Sequence, residues 1–391
     1  MTLTTNYTIC TRCVYDSNIE EITFNEKGLC SYCCKYDRLA AKHINIPREE
    51  KRAQLNTIVS KIKRLGRNRK YDCILGLSGG VDSSYLAWLA KDLGLRPLVV
   101  HFDNGWNSEL AVKNIENIVV KLNYDLDTYV FNWEEFKDLQ RAYFKAGVVD
   151  IEVPTDYLIF AILNKIAAKK GIKYILSGYN YATEYGMPKG WNIANKFDNQ
   201  NLKDIHRRFG KLTFKDFPTF GRYQIFYYEN VLGIETAPLL NYIDYVKKDV
   251  KAFISKELAW KDYGGKHYES IFTRFYQGYV LPKKFGIDKR RAHWSALICS
   301  GQATKQEALE DLKNEPYPVE VQNEDIVYVT KKLDFTLQEF EDIINAKPIP
   351  HEYYKMESEK DLSWRIFNLI LALPVRVRAK FRHIGALGRW K

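Results

Sequence analysis

The chain has 391 residues, 46% of them hydrophobic and 14% aromatic. That is enough apolar material for about two to three packed domains, and it excludes general disorder. Lys and Arg outnumber Asp and Glu by 59 to 48, a net charge of +11, which first suggests a nucleic-acid partner. The surplus is local, however. Arg48 to Lys70 carries nine Lys/Arg against two Glu, and Val375 to Lys391 carries six against none. The rest of the chain is close to neutral, so nucleic acid is not the expected partner. No secretory signal is visible, and no apolar run approaches the roughly 18 residues of a membrane span. The best candidate, Ile366 to Val377, is short and contains Pro374. Four of the seven cysteines have metal-like spacing, which favours a reducing, cytoplasmic setting over a disulfide framework.

In chain order, the first feature is Cys10-x-x-Cys13 followed, after sixteen residues, by Cys30-x-x-Cys33. Two such knuckles can close a tetrahedral Zn²⁺ site with no open position, hence a structural one. Cys34 competes for the ligand assignment, while Cys73 and Cys299 read as core residues. The segment 48–70 reads as a helix with Leu55, Ile58, Ile62 and Leu65 on one face. Its cations are either a solvated face or a docking surface. Strands are expected at 72–77, 97–102, 127–131 and 172–176. Helices are expected at 82–93, from Ser108 to Leu122, and over 155–170 with Gly171 at its end. This alternation implies an α/β fold, a doubly wound and mostly parallel sheet. Residues 190–235 are irregular, aromatic and basic, and read as a functional insertion or lid. A helix is expected over 242–259 and another over 305–313, opened by a Thr304/Glu307 capping box. The end of the chain reads as helical and mainly basic. Trp364, Ile366, Phe367, Phe381 and Trp390 stand among its arginines, a pattern of peripheral membrane or partner contact.

The most informative segment is Leu77-Ser78-Gly79-Gly80-Val81-Asp82-Ser83-Ser84. It ends a strand and opens a helix. The glycines let backbone approach a polyanion, the helix start offers free N–H groups, and Ser78, Ser83 and Ser84 add hydroxyls. Asp82 would repel phosphate unless a cation such as Mg²⁺ stands between them. A plain strand–turn–helix corner needs only a capping Asp, not this whole set. The segment resembles the PP-loop of the ATP pyrophosphatase superfamily, which cleaves ATP to AMP and pyrophosphate. The resemblance implies that Phe102 and Asp103, in His101-Phe102-Asp103-Asn104-Gly105, and Ser177-Gly178 hold the nucleotide. It makes Glu184 a second Mg²⁺ carboxylate. Lys289, in Gly286-Ile287-Asp288-Lys289-Arg290, would neutralise the departing pyrophosphate.

Further segments narrow the resemblance. Gly264-Gly265-Lys266-His267-Tyr268-Glu269-Ser270, Phe272-Thr273-Arg274-Phe275-Tyr276-Gln277-Gly278-Tyr279, Leu281 to His293 and Ser300-Gly301-Gln302, with the four-cysteine head, resemble the N-acetyl sugar amidotransferase family of surface-polysaccharide pathways. The resemblance implies that an acetamido oxygen of a nucleotide sugar attacks the α-phosphorus of ATP. Ammonia then displaces AMP from the adenylated imidate and leaves an acetamidine. Asp82, Glu184 and Lys289 would be the catalytic groups, and His267, Arg274, Lys284 and Arg291 would contact an acidic, nucleotide-activated sugar. The chain shows no glutaminase nucleophile, so ammonia would come from partner subunits related to glutaminase and cyclase proteins. The implied divisions are a zinc knuckle over 1–45, the PP-loop domain over 46–190, a substrate-binding insertion over 191–300 and a helical region over 301–391. Two other readings compete. A PP-loop tRNA thiolase needs a reactive Cys73 or Cys299 at the nucleotide, and a non-enzymatic nucleotide-binding module would have no turnover.

Overall fold

The computed structural model describes residues 7–215 and 217–358. Five parallel strands form its centre: β1 Cys73–Gly76, β2 Pro97–Asp103, β3 Leu126–Val130, β4 Tyr174–Leu176 and β5 Glu235–Ala237, ordered β3-β2-β1-β4-β5. In register, Ile74 lies opposite both Leu98 and Ile175. Strands β1 and β2 are buried almost throughout, as their continuous apolar runs require of central parallel strands. The edge strand β3 alternates between half-buried and exposed residues.

Six helices precede the fourth strand: α1 Ser31–His43, α2 Arg48–Gly66, α3 Val81–Asp92, α4 Glu109–Leu122, α5 Trp133–Ala146 and α6 Val153–Lys170. The short α7 Tyr181–Glu184, then α8 Asn199–Phe209 and α9 Arg222–Phe226, lead to β5, and α10 Lys247–Leu258 follows it. The remainder is helical: α11 Ile271–Phe275, α12 Arg290–Cys299, α13 Lys305–Asp311, α14 Val319–Lys332 and α15 Leu337–Asn345. One core joins Leu75 and Val99 of the sheet to Ile62 of α2, Leu86 of α3, Ile118 of α4 and Ile254 of α10. The other joins Ile74 and Val100 to Tyr143 of α5 and Ile162 of α6. Helices therefore cover both faces of the sheet, and the fold is doubly wound.

Local chemistry sets several boundaries. Ser108 caps α4 by accepting from the Ala111 N–H, and Gly171 ends α6 at φ +67°. The Thr304/Glu307 capping box forms on α13. Helix α2 stops at Gly66, four residues before the sequence pattern suggests. A Cβ on Gly66 would lie 2.2 Å from that of Asp72, so the chain folds back there to enter β1.

The expectation of an irregular insertion over 190–235 is corrected. That stretch contains α8, with Leu202 and Ile205 in the core, and it leads directly into β5. The basic α2 face is also partly answered within the chain. Arg48 and Lys51 pair with Asp244 at 3.0 and 2.7 Å, and Lys61 pairs with Glu235 at 2.9 Å. Just beyond the helix, Lys70 pairs with Asp125 at 2.9 Å. The segment 366–377 and the basic tail from Val375 lie outside the described residues. No described helix is long and apolar enough to cross a membrane.

Candidate functional site

The strand order reverses between β1 and β4, since β1 leads outward to β2 and β3 while β4 starts the other half. Such a crevice, beyond the carboxyl ends of the strands, is where doubly wound sheets bind ligands. The loop after β1 and the Ser177-Gly178 turn after β4 meet there. Gly79 has φ +79°, and a Cβ on it would stand 2.7 Å from the Ala111 carbonyl oxygen, so only glycine fits without displacing backbone. The Trp260 indole N–H donates to the Gly79 carbonyl at 2.8 Å and fixes the turn from outside. Gly80 caps α3, and the Ser78 and Ser83 hydroxyls face each other at 3.1 Å.

Asp82, in the first turn of α3, accepts from Asn180 Nδ2 at 3.2 Å and from the Tyr245 hydroxyl. Burial, then the charge of Glu184, raises its pKa. Glu184 ends α7 and pairs with Lys266 at 3.3 Å. Lys247, at the start of α10, shares the cleft, and burial together with the nearby Lys266 depresses its pKa to about 8. Glu269 reaches over Gly80, close enough that a Cβ there would lie 3.0 Å from its Oε1. Its Oε2 is buried without a hydrogen-bond partner among the described residues, and His267 Nδ1 stands 3.6 Å from Oε1. Ser78, Gly80, Val81, Asp82, Ser83, Gly178, Glu184 and His267 thus line one cleft, as the sequence suggests. Lys247, Lys266 and Glu269 line it as well, although the sequence pattern assigns them no role.

Other expected residues stand elsewhere. Gly79 turns beneath the loop, and Ser84 is fully buried with its hydroxyl unpartnered among the described residues. The Ser177 hydroxyl accepts from the Tyr179 N–H, while Phe102 packs near Tyr129 and Phe131. Asp103 accepts from the Gly105 N–H at 3.0 Å. Three residues expected to contact substrate have partners inside the protein. Arg274 makes a two-pronged pair with Asp325 at 2.9 and 2.7 Å. Lys284 donates to the carbonyls of Ile343 and Ala346 at the end of α15. Arg291 holds Asp16 at 2.9 Å and the Val14 carbonyl at 2.8 Å. Lys289 does not line the cleft itself. It lines an adjoining chamber of about 480 Å³, a size within the roughly 300–1,000 Å³ of ligand pockets. That chamber shares Glu184, Lys266 and His267 with the cleft.

The four cysteines converge in the N-terminal head. Cys10, Cys13, Cys30 and Cys33 are fully buried, and their sulfurs lie within 4.8 Å of one another. Zinc–sulfur bonds of about 2.3 Å in a tetrahedron place sulfurs about 3.8 Å apart. Cys10 and Cys33 are 3.8 Å apart, and Cys13 and Cys30 are 3.6 Å apart. The Cys30 N–H points at Cys10 Sγ and the Cys33 N–H at Cys30 Sγ, the backbone donation that steadies thiolates. The donor set therefore fits zinc. Cys34 stands aside, meeting Asn25 instead. Cys299 was expected to be ordinary core, but its sulfur lies 3.6 Å from Cys33. Cys73 is buried in β1 beside Asp72. Neither lines the cleft.

Residues 269–370 match the family described as LPS biosynthesis protein WbpG-like, C-terminal domain. No curated protein matches the chain.

Proposed function

We propose that the chain is an ATP-dependent amidotransferase that converts an acetamido group of a nucleotide-activated sugar to an acetamidine, in lipopolysaccharide or related surface-glycan biosynthesis. The observation that carries the reading is the cleft at the strand-order reversal. It combines a glycine turn at a helix start with three carboxylates and three lysines. The family match at 269–370 supports the pathway, because that stretch supplies Glu269 to the cleft and Lys289 to the adjoining chamber.

Asp82 and Glu184 both border the cleft and are the carboxylates that would hold a divalent cation. Asp82 is held against its own ionisation by burial and by Glu184, and a cation would remove that conflict. Bound there, Mg²⁺ would screen the phosphates from the carboxylates. The chain's own groups do the rest. The start of α3 and the Ser78 and Ser83 hydroxyls bind phosphate oxygens, while Lys247 and Lys266 stabilise the charge that builds as pyrophosphate departs. Asn180 and Tyr245 hold the Asp82 carboxylate in one orientation. An amide oxygen is a poor leaving group until adenylated, so positioning and charge stabilisation are what the protein must supply. Ammonia would come from a glutaminase-type partner.

The test gives the purified chain ATP, Mg²⁺, an ammonium salt and a diacetamido uronic-acid nucleotide. AMP and pyrophosphate should appear only with sugar present, and the sugar mass should change by the exchange of one oxygen for NH. Release of ADP, or AMP formation independent of sugar, overturns the reading.

A further inference from the structure

Of the three residues that the cleft and the chamber share, Glu184 and Lys266 answer each other at 3.3 Å. The third, His267, faces a carboxylate. Its Nδ1 stands 3.6 Å from Glu269 Oε1, and its side chain stays 34% exposed. The imidazole therefore sits on the boundary between the two spaces, backed by an acid on one side.

The backbone singles out the same residue. His267 has φ +64°. Asn123 and Ala259 share that left-handed region, but each ends a helix, where it is an ordinary conformation. His267 ends no helix, and backbone held in sparsely populated regions concentrates at functional sites. Glu269 is fixed from behind, since its carbonyl accepts from the Ser108 N–H at 2.9 Å. Burial works against its charge, but His267 outweighs burial and the pKa lies below the ordinary value. Its Oε2 is nevertheless buried without a partner among the described residues. Such an oxygen is costly, and a positive charge on the adjacent ring offsets the cost. A carboxylate at one ring nitrogen also fixes the tautomer and leaves the other nitrogen bare to accept a proton. His293, whose ring lies 5.9 Å away, cannot substitute. It lines the chamber but not the cleft, and burial, then Lys266, keeps its pKa well below the ordinary value.

We propose that His267 is the proton carrier of the reaction and that Glu269 is its positioning residue. The role rests on the amidotransferase reading above. As the acetamido oxygen bonds to the α-phosphorus, pyrophosphate leaves with the electron pair of the broken P–O bond. The amide N–H proton passes to His267 Nε2, and its bond pair becomes the C=N of the imidate. Nε2 returns that proton to the same nitrogen as ammonia adds to the carbon. The added nitrogen then loses one proton to Nε2, and the C–O bond breaks with its pair on AMP. One proton remains on His267 and passes to solvent. Glu269 stabilises the imidazolium each time it forms.

Two measurements on the full chain test this. With [15N]histidine, the His267 ring is assigned by its absence from His267→Asn. When neutral it should carry hydrogen on Nδ1 and a bare Nε2, and Glu269→Met should release it to a mixture of tautomers, which a merely structural Glu269 would not do. The second measurement supplies ATP, Mg²⁺ and the diacetamido uronic-acid nucleotide without ammonia. The unaltered chain should release a burst of one pyrophosphate per site. His267→Asn should slow it by about 10²–10³-fold with ATP affinity unchanged. Asn tolerates positive φ but carries no proton, so the backbone is kept. Hydrogen on Nε2 of the neutral ring, or a burst of full speed in His267→Asn, overturns the proton role and leaves the amidotransferase reading standing. Loss of ATP affinity with the burst also overturns it, and makes His267 a phosphate contact. Failure of the unaltered chain to form pyrophosphate or AMP with sugar overturns the reading itself, and this role with it.

Discussion

The cleft and the four-cysteine head both gather ionisable side chains, but they satisfy them differently. In the head, four fully buried sulfurs surround one point, with backbone N–H groups pointing at them. In the cleft, Asp82, Glu184, Lys247 and Lys266 border open space, and Glu269 keeps one oxygen without a partner among the described residues. A closed donor set serves folding, whereas an open, strained one serves a ligand that arrives from outside. Variants that separate stability from turnover test this contrast.

The largest effect is expected in the head. Cys30→Ser should remove zinc entirely and lower the melting temperature steeply, because binding a structural metal is itself folding free energy. Metal analysis and calorimetry read both. If the variant keeps its zinc and its melting temperature, the head is not a structural metal site. Asp82→Asn should act in the opposite sense, reducing AMP formation by about 10²–10³-fold. Its melting temperature should hold or rise, since burial and Glu184 already disfavour the Asp82 charge. Gly79→Ala should cost about 1–3 kcal/mol of unfolding free energy in a denaturant titration, through positive φ and the contact with Ala111.

The smallest change concerns Lys247, whose pKa is near 8. It is charged below that value and neutral above it, so ATP affinity should fall as pH rises through about 8. Asp82, Glu184, Lys251 and Lys266 face it and set the width of the transition. Lys247→Met should weaken ATP binding about tenfold at lower pH and flatten the profile. A profile unchanged by the substitution removes Lys247 from the phosphate site.

What could be read from the sequence follows the range of each signal. The Ser78–Ser84 loop is local: strand, glycines and helix start are contiguous, and the structure keeps them so. The cysteine knuckles are nearly as local. β5 gave no signal, because three residues, two of them exposed, cannot show a period. Helix α5 carries a detectable one in Phe136, Leu139 and Tyr143 behind the Asn132 cap. The internal partners of Arg274, Lys284 and Arg291 could not be read from the sequence, for one shared reason. A cation's partner is set by tertiary structure, and Asp325, the end of α15 and Asp16 are all distant in sequence. Lys247 and Lys266 reach the cleft for the same reason, from segments without any phosphate-binding pattern.

The seam between the head and α12 bears on synthesis. Arg12 donates to the Cys299 carbonyl across 287 residues, and Cys33 meets Cys299 across 266. At roughly 5–20 residues per second, the ribosome needs on the order of 15–60 s to make that stretch. A head that takes up zinc closes around it early, but its docking face stays uncovered until α12 emerges. During that interval a surface lined by Tyr15, Tyr32 and Cys33 stays uncovered. Expression yield should therefore depend on zinc supply while the chain is being made, more than on zinc added afterwards.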